Sequence, residues 1–276
     1  MVPFILVLNK LFRRPRVGGR ESDDAYSRWE YEWGRTLVRD YLEPADDIGG
    51  KTVLDIGCGL GGKTVAYGEG GARTTIGIDI SLGHAAASKS FTEKSGRSFT
   101  WAFLVGDASA MPVADAAVDT VIANDAMEHF ADPAGALAEM QRVVRDGGAV
   151  WIFFTPHFSP LGSHLYDYIH TPWCHLLFSR GSLKKAIRRV LSDRAPGGSR
   201  EGVEEKLTEI MRSYDEDLNH MSIRRFFGIV RSMPGLRIAR RRLEPAKFRF
   251  LKPLTYVPFV RELVTGTVIC RLEKTG

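Results

Sequence analysis

The feature that most constrains the fold is an apolar strand that runs directly into a glycine-rich turn. Residues 53–62 read Val-Leu-Asp-Ile-Gly-Cys-Gly-Leu-Gly-Gly, and the next apolar strand ends in Gly77-Ile78-Asp79-Ile80. Glycines let the backbone turn sharply and approach a ligand without a Cβ in the way. An acidic residue about 20 positions after the glycines is typical of a nucleoside-binding unit, in which the carboxylate binds the ribose hydroxyls. The pattern predicts a site for an adenosyl group.

Strands and helices alternate around this turn. The apolar runs predict strands over residues 52–56, 74–79, 99–105, 118–123 and 149–155, with helices between them. Such alternation indicates a parallel sheet with helices on both faces. After Pro156 the alternation stops, and a loop rich in histidine and aromatic residues leads into further helices. Strands are predicted again over residues 236–243 and 266–272.

A helix is predicted just before the glycine turn, over residues 24–42. Tyr26, Trp29 and Trp33 fall on one stripe of this helix. The stripe predicts either a face packed in the core or a roof over the ligand.

Composition and charge limit the classes of protein that the chain can belong to. Hydrophobic residues make up 44% and charged residues 26%, which excludes wholesale disorder. The three cysteines, Cys58, Cys174 and Cys270, are too far apart for a disulfide framework, so we expect a reducing, cytoplasmic location. The net charge of +5 arises from short basic clusters, which either attract an anionic partner or are solvated helix faces.

The N-terminus combines an apolar run, residues 3–8, with Arg13, Arg14 and Arg16. A secretory signal has its charges before the apolar run, and here the order is reversed. The run is also too short to span a bilayer. Two interpretations remain: a short helix that makes peripheral membrane contact through residues 3–16, and a frayed end or a flap packed on the body.

The residues around the glycine turn favour one adenosyl ligand over another. Residues 57–62 satisfy both G-x-G-x-x-G and G-x-G-x-G. The glycine pattern by itself is therefore also compatible with a nicotinamide dinucleotide. Asp55, however, would repel a pyrophosphate at the start of the following helix. S-adenosylmethionine (SAM) has no phosphate and brings an ammonium group that a carboxylate attracts, directly or through water.

Residues further along the chain complete a family resemblance. Gly106-Asp107-Ala108 closes the third strand, and Asn124-Asp125-Ala126-Met127-Glu128-His129 follows the fourth. With the turn at 54–59 and Asp79, these residues stand in the order found in class I SAM-dependent methyltransferases. The chain resembles the small-molecule, type 11, branch of that family over about residues 50–156.

The resemblance implies roles for particular residues. Gly57 and Gly59 line the methionine end of SAM, Asp79 binds the ribose diol, and Asp107 with Ala108 borders the adenine. Asn124 borders the methionine side. The expected cofactor-binding residues are Asp55, Gly57, Cys58, Gly59, Gly61, Asp79, Ile80, Asp107, Ala108 and Asn124.

The resemblance also implies the fold: α/β, with a Rossmann-like, seven-stranded, mostly parallel sheet and helices on both faces. Its last strand is antiparallel, and a helical cap insertion follows strand five. We therefore predict four regions: an N-terminal tail (1–23), a SAM-binding core (24–156), an acceptor-binding cap insertion (157–234) and a C-terminal strand hairpin (235–276).

Histidines are the candidate catalytic residues. Methyl transfer from a sulfonium is an in-line displacement, so much of the rate can come from positioning. An oxygen acceptor usually also needs a base, and histidine suits that role near neutral pH. His129 is the first candidate and His157 the second; either could instead only bind the backbone.

A divalent metal is a further interpretation of the same segment. Asp125, Glu128 and His129 resemble the acidic-x-x-Glu-His pattern of ubiquinone-biosynthesis O-methyltransferases, where the pattern is associated with a metal. The Glu-His pair is also widespread in relatives without a metal. We therefore assign no metal ligands.

These observations predict a SAM-dependent methyltransferase that acts on a small-molecule, glycan or lipid-linked acceptor, by O-methylation. An RNA methyltransferase is an alternative because of the basic clusters, although the fourth strand ends in Asn124-Asp125-Ala126-Met127 and not in Asn/Asp-Pro-Pro-aromatic. Two further alternatives are a nicotinamide-dependent oxidoreductase and a non-catalytic relative that binds SAM. We expect a small-molecule partner and no nucleic acid.

Overall fold

The computed structural model describes residues 1–12, 22–96, 99–194, 199–246 and 249–276. The helices are α1 (Val2–Leu11), α2 (Asp23–Asp40), α3 (Gly62–Glu69), α4 (Leu82–Ser95), α5 (Pro133–Val143), α6 (Cys174–Leu177), α7 (Arg180–Arg194), α8 (Arg200–Glu216), α9 (Ile223–Arg231) and α10 (Val260–Val264). A π-helical turn spans Pro44–Ile48 and a 3₁₀ helix spans Arg249–Tyr256. The strands are β1 (Thr52–Ile56), β2 (Thr74–Asp79), β3 (Thr100–Val105), β4 (Val118–Asn124), β5 (Val144–Phe154), β6 (Leu236–Pro245) and β7 (Thr265–Lys274).

The strands form one seven-stranded sheet in the order β3-β2-β1-β4-β5-β7-β6. The pairs β1–β2, β2–β3, β1–β4 and β4–β5 are parallel, and the last strands are antiparallel. The strand order reverses at β1, which has β2 on one side and β4 on the other. The predicted Rossmann-like fold class is confirmed.

One strand begins earlier than the sequence indicates. The sequence predicts this strand over residues 149–155, but β5 already begins at Val144. Val118 pairs with Val144, and Thr120 pairs with Ala149. Residues 145–148 of β5 therefore lie opposite a single residue of β4. Gly147, with φ +71°, supplies the backbone conformation that this irregularity requires.

The caps of two helices explain why they begin where they do. Ser81 accepts the N–H of His84 at the start of α4, at 3.2 Å. Asp132 accepts the N–H groups of Ala134 and Gly135, at 3.1 and 3.0 Å, at the start of α5. Each cap satisfies donors that have no partner inside the helix. Serine and aspartate are among the residues preferred at this position.

The chain divides into two compact units. The sheet unit comprises Val17–Phe154, Phe227–Arg242 and Ile269–Gly276, and the helical unit comprises Met1–Arg16, Thr155–Phe226 and Leu243–Val268. Residues from the predicted tail, insertion and hairpin regions all contribute to the helical unit.

The core of the sheet unit consists of large side chains on the central strands and α2. Val53, Ile122, Trp151, Phe153 and Leu37 belong to one buried cluster. The Trp151 and Phe153 rings stack with their centroids 5.8 Å apart. Burying each such side chain stabilises the fold by about 1.5–3 kcal/mol, so this cluster fixes the strands whose ends build the site.

The helical unit has its own core, which α1 helps to form. Ile5 is fully buried in a cluster with Leu183, Ile187 and Leu207 of α7 and α8. Asn9 holds the helix in place: its Nδ2 donates to the Tyr168 carbonyl at 2.8 Å and its Oδ1 accepts the His170 N–H.

Residues 2–11 are therefore a packed helix, in agreement with the predicted flap and not with a frayed end. Arg13, Arg14 and Arg16 lie outside the described residues. Within the described part of the chain, no helix is both long and apolar enough to cross a membrane.

Candidate cofactor site

Three parallel strands of the sheet unit end side by side. β1 ends at Ile56, where it pairs with Ile78 of β2 on one side and with Ala123 of β4 on the other. Asp79 and Asn124, the last residues of β2 and β4, therefore flank the glycine turn that follows β1. The carboxyl edge of an open α/β sheet, at the point where strand order reverses, is the usual place for a ligand.

The glycine turn requires glycine at several positions. Gly57, Gly59 and Gly61 have φ values of +67°, +56° and +80°, which other residues rarely adopt. A Cβ on Gly57 would lie 2.8 Å from the Ala126 Cβ, and a Cβ on Gly61 would lie 2.7 Å from the Ser88 Cβ. The turn is therefore held close to the segment that follows β4 and to α4.

Asp79 is bonded to the glycine turn and to α4. Its Oδ2 accepts the Gly59 N–H at 3.0 Å, and its Oδ1 accepts the Ser81 N–H at 2.9 Å. The His84 Nδ1 lies 3.1 Å from the same Oδ1. Each carboxylate oxygen can accept more than one hydrogen bond, so both keep capacity for a ribose diol.

The charge of Asp79 is stabilised by its neighbours. Burial alone would raise the pKa of this carboxyl, but hydrogen bonds from His84, Ser81 and Gly59 hold the pKa below its usual range. The hydrogen bond to Asp79 in turn raises the pKa of His84. Asp79 is thus an ionised acceptor, as charge-assisted binding of a diol requires.

A buried group of charges lies beneath the turn. Lys63 of α3 is 6% exposed, and its Nζ lies 3.7 Å from Oε1 of Glu30 in α2. Asp55 of β1 is buried as well, and its Oδ2 accepts the Thr64 hydroxyl at 2.6 Å. The charged form of Lys63 is favoured by Glu30, Asp125 and Asp55.

Acidic groups outnumber the ammonium in this cluster. Burial would lower the pKa of Lys63, but the three carboxyl groups raise it, so Lys63 stays an ammonium. Burial raises the pKa of Glu30 and raises the pKa of Asp55 to about 7. Three acidic groups therefore lie near one ammonium. This excess of acidic groups favours a ligand with cationic groups over a pyrophosphate.

The raised pKa of Asp55 predicts a pH-dependent stability. Between its ordinary value of 3.8 and about 7, the folded state holds a proton on Asp55 that the unfolded state has lost. The free energy of unfolding of the wild type should therefore fall over that range, relative to Asp55→Asn, by about 1.4 kcal/mol per pH unit at most. Urea unfolding of both proteins from pH 4 to about pH 8 measures the difference, and parallel curves would contradict the assignment.

Two buried acceptor atoms fit the methionine end of SAM. Among the described residues, Asp55 Oδ1 and Asn124 Oδ1 have no hydrogen-bond donor, although both side chains are almost fully buried. The Asn124 carbonyl accepts from Lys63 Nζ at 3.2 Å. Buried acceptors of this kind need a donor. The ammonium of SAM is a donor of the required charge, directly or through water.

The remaining predicted cofactor residues differ in what they can offer. Cys58 is buried, and burial raises the pKa of its thiol, so it could offer a ligand only its backbone. Asp107 is exposed; hydrogen bonds from the Ser109 N–H and hydroxyl, both at 2.7 Å, lower its pKa. Ile80 is exposed at the end of β2, and Ala108 is half-buried.

The two candidate histidines lie in different units. His129 belongs to the sheet unit, is exposed, and donates its N–H to the Ala126 carbonyl at 2.9 Å. His157 belongs to the helical unit, where its ring lies 5.1 Å from that of His175 and 4.5 Å from that of His220. Burial and these two histidines lower the pKa of His157 to about 4.

The structure identifies site residues that were not expected from the sequence, namely Glu30, Lys63 and His84. Lys63 had a signal: Gly57 to Thr64 has the spacing G-x-x-x-x-G-K-T of a phosphate-binding loop. In such a loop the lysine reaches phosphates and the threonine binds Mg²⁺. Here the Lys63 ammonium is bound by protein groups and the Thr64 hydroxyl donates to Asp55, so neither is available to a phosphate.

Comparisons with known proteins agree with this geometry. Residues 54–152 match a family described as a methyltransferase domain. The chain is 30% identical over 150 residues to a demethylmenaquinone methyltransferase of Renibacterium salmoninarum, and the match covers 54% of this chain and 59% of that protein. It is 29% identical over 133 residues to a sterol 24-C-methyltransferase of Gibberella zeae, covering 46% and 35%.

The fold also resembles solved structures. Geranyl diphosphate C-methyltransferase from Streptomyces coelicolor superposes with a TM-score of 0.55 at 14% identity, over 88% of this chain and 76% of that one. At that identity the likeness concerns the fold alone. The chain spans little more than half the length of the first curated relatives. Residues 54–152 thus match a methyltransferase domain, which confirms the resemblance to class I SAM-dependent methyltransferases predicted from the sequence.

Proposed function

We propose that this protein transfers the methyl group of SAM to a small-molecule, glycan or lipid-linked acceptor. The observation that carries the proposal is the excess of carboxyl groups around Lys63, those of Glu30 and Asp55 buried, beneath a glycine turn bonded to Asp79. This arrangement suits an adenosyl ligand with a cationic amino acid end and disfavours a phosphorylated one. SAM supplies an electrophilic methyl group when it is bound. The proposal includes no metal.

The residues of the sheet unit would act by positioning. Asp79 would bind the ribose diol, and its hydrogen bond to Gly59 would fix the turn against it. Asp55 and Asn124 would bind the ammonium end, and Asp107 with Ala108 would border the adenine. Holding the methyl group in line with an acceptor atom can account for most of the rate of such a displacement.

Hydrophobic acceptors are the class that the relatives support best. Their names specify demethylmenaquinone, a sterol and geranyl diphosphate. Within this chain, the helical unit contains the segment 157–178, rich in histidine and aromatic residues, which we propose recognises the acceptor as part of the predicted cap insertion. We place the reaction in the cytoplasm because the three cysteines are buried free thiols.

Incubation of the purified protein with methyl-labelled SAM tests the proposal. Label should move into an organic extract of cells, or into a glycan fraction, and not into RNA from the same cells. Formation of S-adenosylhomocysteine without a labelled product, or SAM binding without turnover on any fraction, would contradict it. Oxidation of NAD(P)H by the protein would instead favour the oxidoreductase alternative.

We further propose oxygen as the accepting atom and His129 as the base. The low pKa of His157, about 4, makes its ring a weak proton acceptor at neutral pH. His129→Gln should therefore lower kcat by about a hundredfold and leave the affinity for SAM unchanged. His157→Gln should lower kcat by much less. Equal losses in the two variants would contradict the assignment, and a methyl group found on carbon by NMR would exclude O-methylation.

A further inference from the structure

The helix α1 carries apolar residues on both of its sides. Ile5 and Asn9 face the interior of the helical unit. Phe4, Val7 and Leu11 recur at helical spacing on the other side, where they are 56%, 63% and 74% exposed. A helix that is apolar all round is usually buried on every side or in contact with lipid. The outer side of α1 therefore lacks the cover that its composition requires.

Other exposed apolar side chains of the helical unit lie close to α1. The Phe4 ring meets the Phe178 ring edge-on, with centroids 6.4 Å apart, directly after α6. Trp173, directly before α6, donates its Nε1–H to the Leu263 carbonyl of α10 at 3.0 Å. The α6 segment thus adjoins α1 through Phe178 and α10 through Trp173. Three large side chains of α6, the 3₁₀ helix and the start of α10 are exposed: Leu177 (60% exposed), Tyr256 (73%) and Phe259 (81%).

Phe259 is held outward by an unusual backbone. Its φ is +66°, in a region that bulky residues rarely adopt. Strain of this kind persists where the surrounding structure imposes it, commonly at sites of function. The result is a large aromatic ring presented to the surroundings at the start of α10. We define the apolar patch as Phe4, Val7, Leu11, Leu177, Tyr256 and Phe259.

The charges around the apolar patch are positive. Residues 1–12, 174–177 and 250–264 contain the basic residues Lys10, Lys252 and Arg261 and the acidic residue Glu262. Lys252 is paired with Glu244 at 2.7 Å, so Lys10 and Arg261 supply the positive charge. Glu262 is directed inward, where its carboxylate accepts the N–H groups of Ile223 and Arg224 at 2.9 and 2.8 Å. A second copy of the chain would bring like charges together, which opposes self-association. An anionic lipid surface is complementary both to the charges and to the apolar side chains.

We propose that the apolar patch docks the protein on the surface of an anionic lipid bilayer, with Phe4, Val7, Leu11 and Phe259 entering the headgroup region. The docking is peripheral, along the plane of the interface. It extends the peripheral membrane contact, one of the two interpretations of residues 3–16, to α6, α10 and the 3₁₀ helix. It does not depend on methyl transfer.

Flotation of the full chain with vesicles tests the proposal. The wild type should float with vesicles of equal parts phosphatidylcholine and phosphatidylglycerol at about 0.1 M salt, and should be released at about 1 M salt. It should stay behind with vesicles of phosphatidylcholine alone. Val7→Glu and Phe259→Ser should each weaken the partition by about tenfold or more, because each removes an inserted apolar side chain.

Ile238→Glu is the matched control for Val7→Glu. Ile238 is exposed on the edge strand β6 of the sheet unit, and the substitution changes the net charge equally. It should leave vesicle binding unchanged. Titration with SAM shows that each variant is folded and keeps this test separate from that of the proposed function.

The proposal is overturned if the wild type does not float with the anionic vesicles, or if Val7→Glu and Ile238→Glu float alike. Light scattering gives a further outcome. A wild-type dimer that Val7→Glu converts to a monomer would mean that the patch is covered by a second copy, which also overturns lipid docking.

Discussion

Asp79→Ala should bind SAM between about a hundredfold and ten-thousandfold more weakly than the wild type. The substitution removes hydrogen bonds from the ribose hydroxyls to a charged acceptor, each worth about 1.5–3 kcal/mol. It also releases the Gly59 N–H, which lies 3.0 Å from Asp79 Oδ2, so the glycine turn loses a fixed point. Isothermal titration with SAM and with S-adenosylhomocysteine measures both losses together.

Two further variants make this result specific. Asp146→Ala removes a carboxylate that is 70% exposed and 3.5 Å from Lys274, and should leave the affinity unchanged. Asp79→Asn keeps an acceptor for the Ser81 N–H but has no charge, so its affinity should lie between those of the wild type and Asp79→Ala. Wild-type affinity in a folded Asp79→Ala protein would contradict the ribose assignment.

Lys63→Met should destabilise the protein by about 3–5 kcal/mol, because it leaves buried carboxyl groups without their counter-charge. The Lys63 Nζ is 3.7 Å from Glu30 and donates to the Asn124 carbonyl, and both partners are buried. Methionine fills a similar volume, so the expected loss comes from the missing charge and hydrogen bond. Urea unfolding at neutral pH measures it.

The control for this substitution is Lys89→Met on α4. The Lys89 side chain is 64% exposed and 4.0 Å from Glu93, and removing such a pair should cost less than about 1 kcal/mol. The double variant Lys63→Met with Glu30→Gln should recover part of the stability, since it removes a carboxylate together with the ammonium. Equal stability of Lys63→Met and Lys89→Met would contradict the buried-charge interpretation.

The elements nearest the cofactor could be predicted because their signals are local. β1, the glycine turn and β2 follow from apolar runs and from glycines at positive φ, all within 28 residues that are continuous in sequence. The caps Ser81 and Asp132 are similarly local, since each bonds N–H groups two or three residues away. Such signals do not depend on contacts with residues that are distant in sequence.

The buried face of α2 could not be predicted in this way. The aromatic stripe of Tyr26, Trp29 and Trp33 is only half-buried, whereas Glu30 and Gly34 are buried. The reason lies in α3, which passes so close that a Cβ on Gly34 would be 2.7 Å from the Ala66 Cβ. Only small or paired side chains fit there, and the partner of Glu30 is distant in sequence.

The place of α1 in the helical unit has a consequence for how the chain is synthesised. Asn9 bonds the carbonyl of Tyr168, 159 residues later, and the α7 residues that cover Ile5 follow later still. Ribosomes add about 5–20 residues per second, so α1 emerges roughly ten to thirty seconds before its partners exist. During that interval both of its apolar sides are uncovered in the nascent chain, and α1 reaches its native contacts only after α7 and α8 have been made.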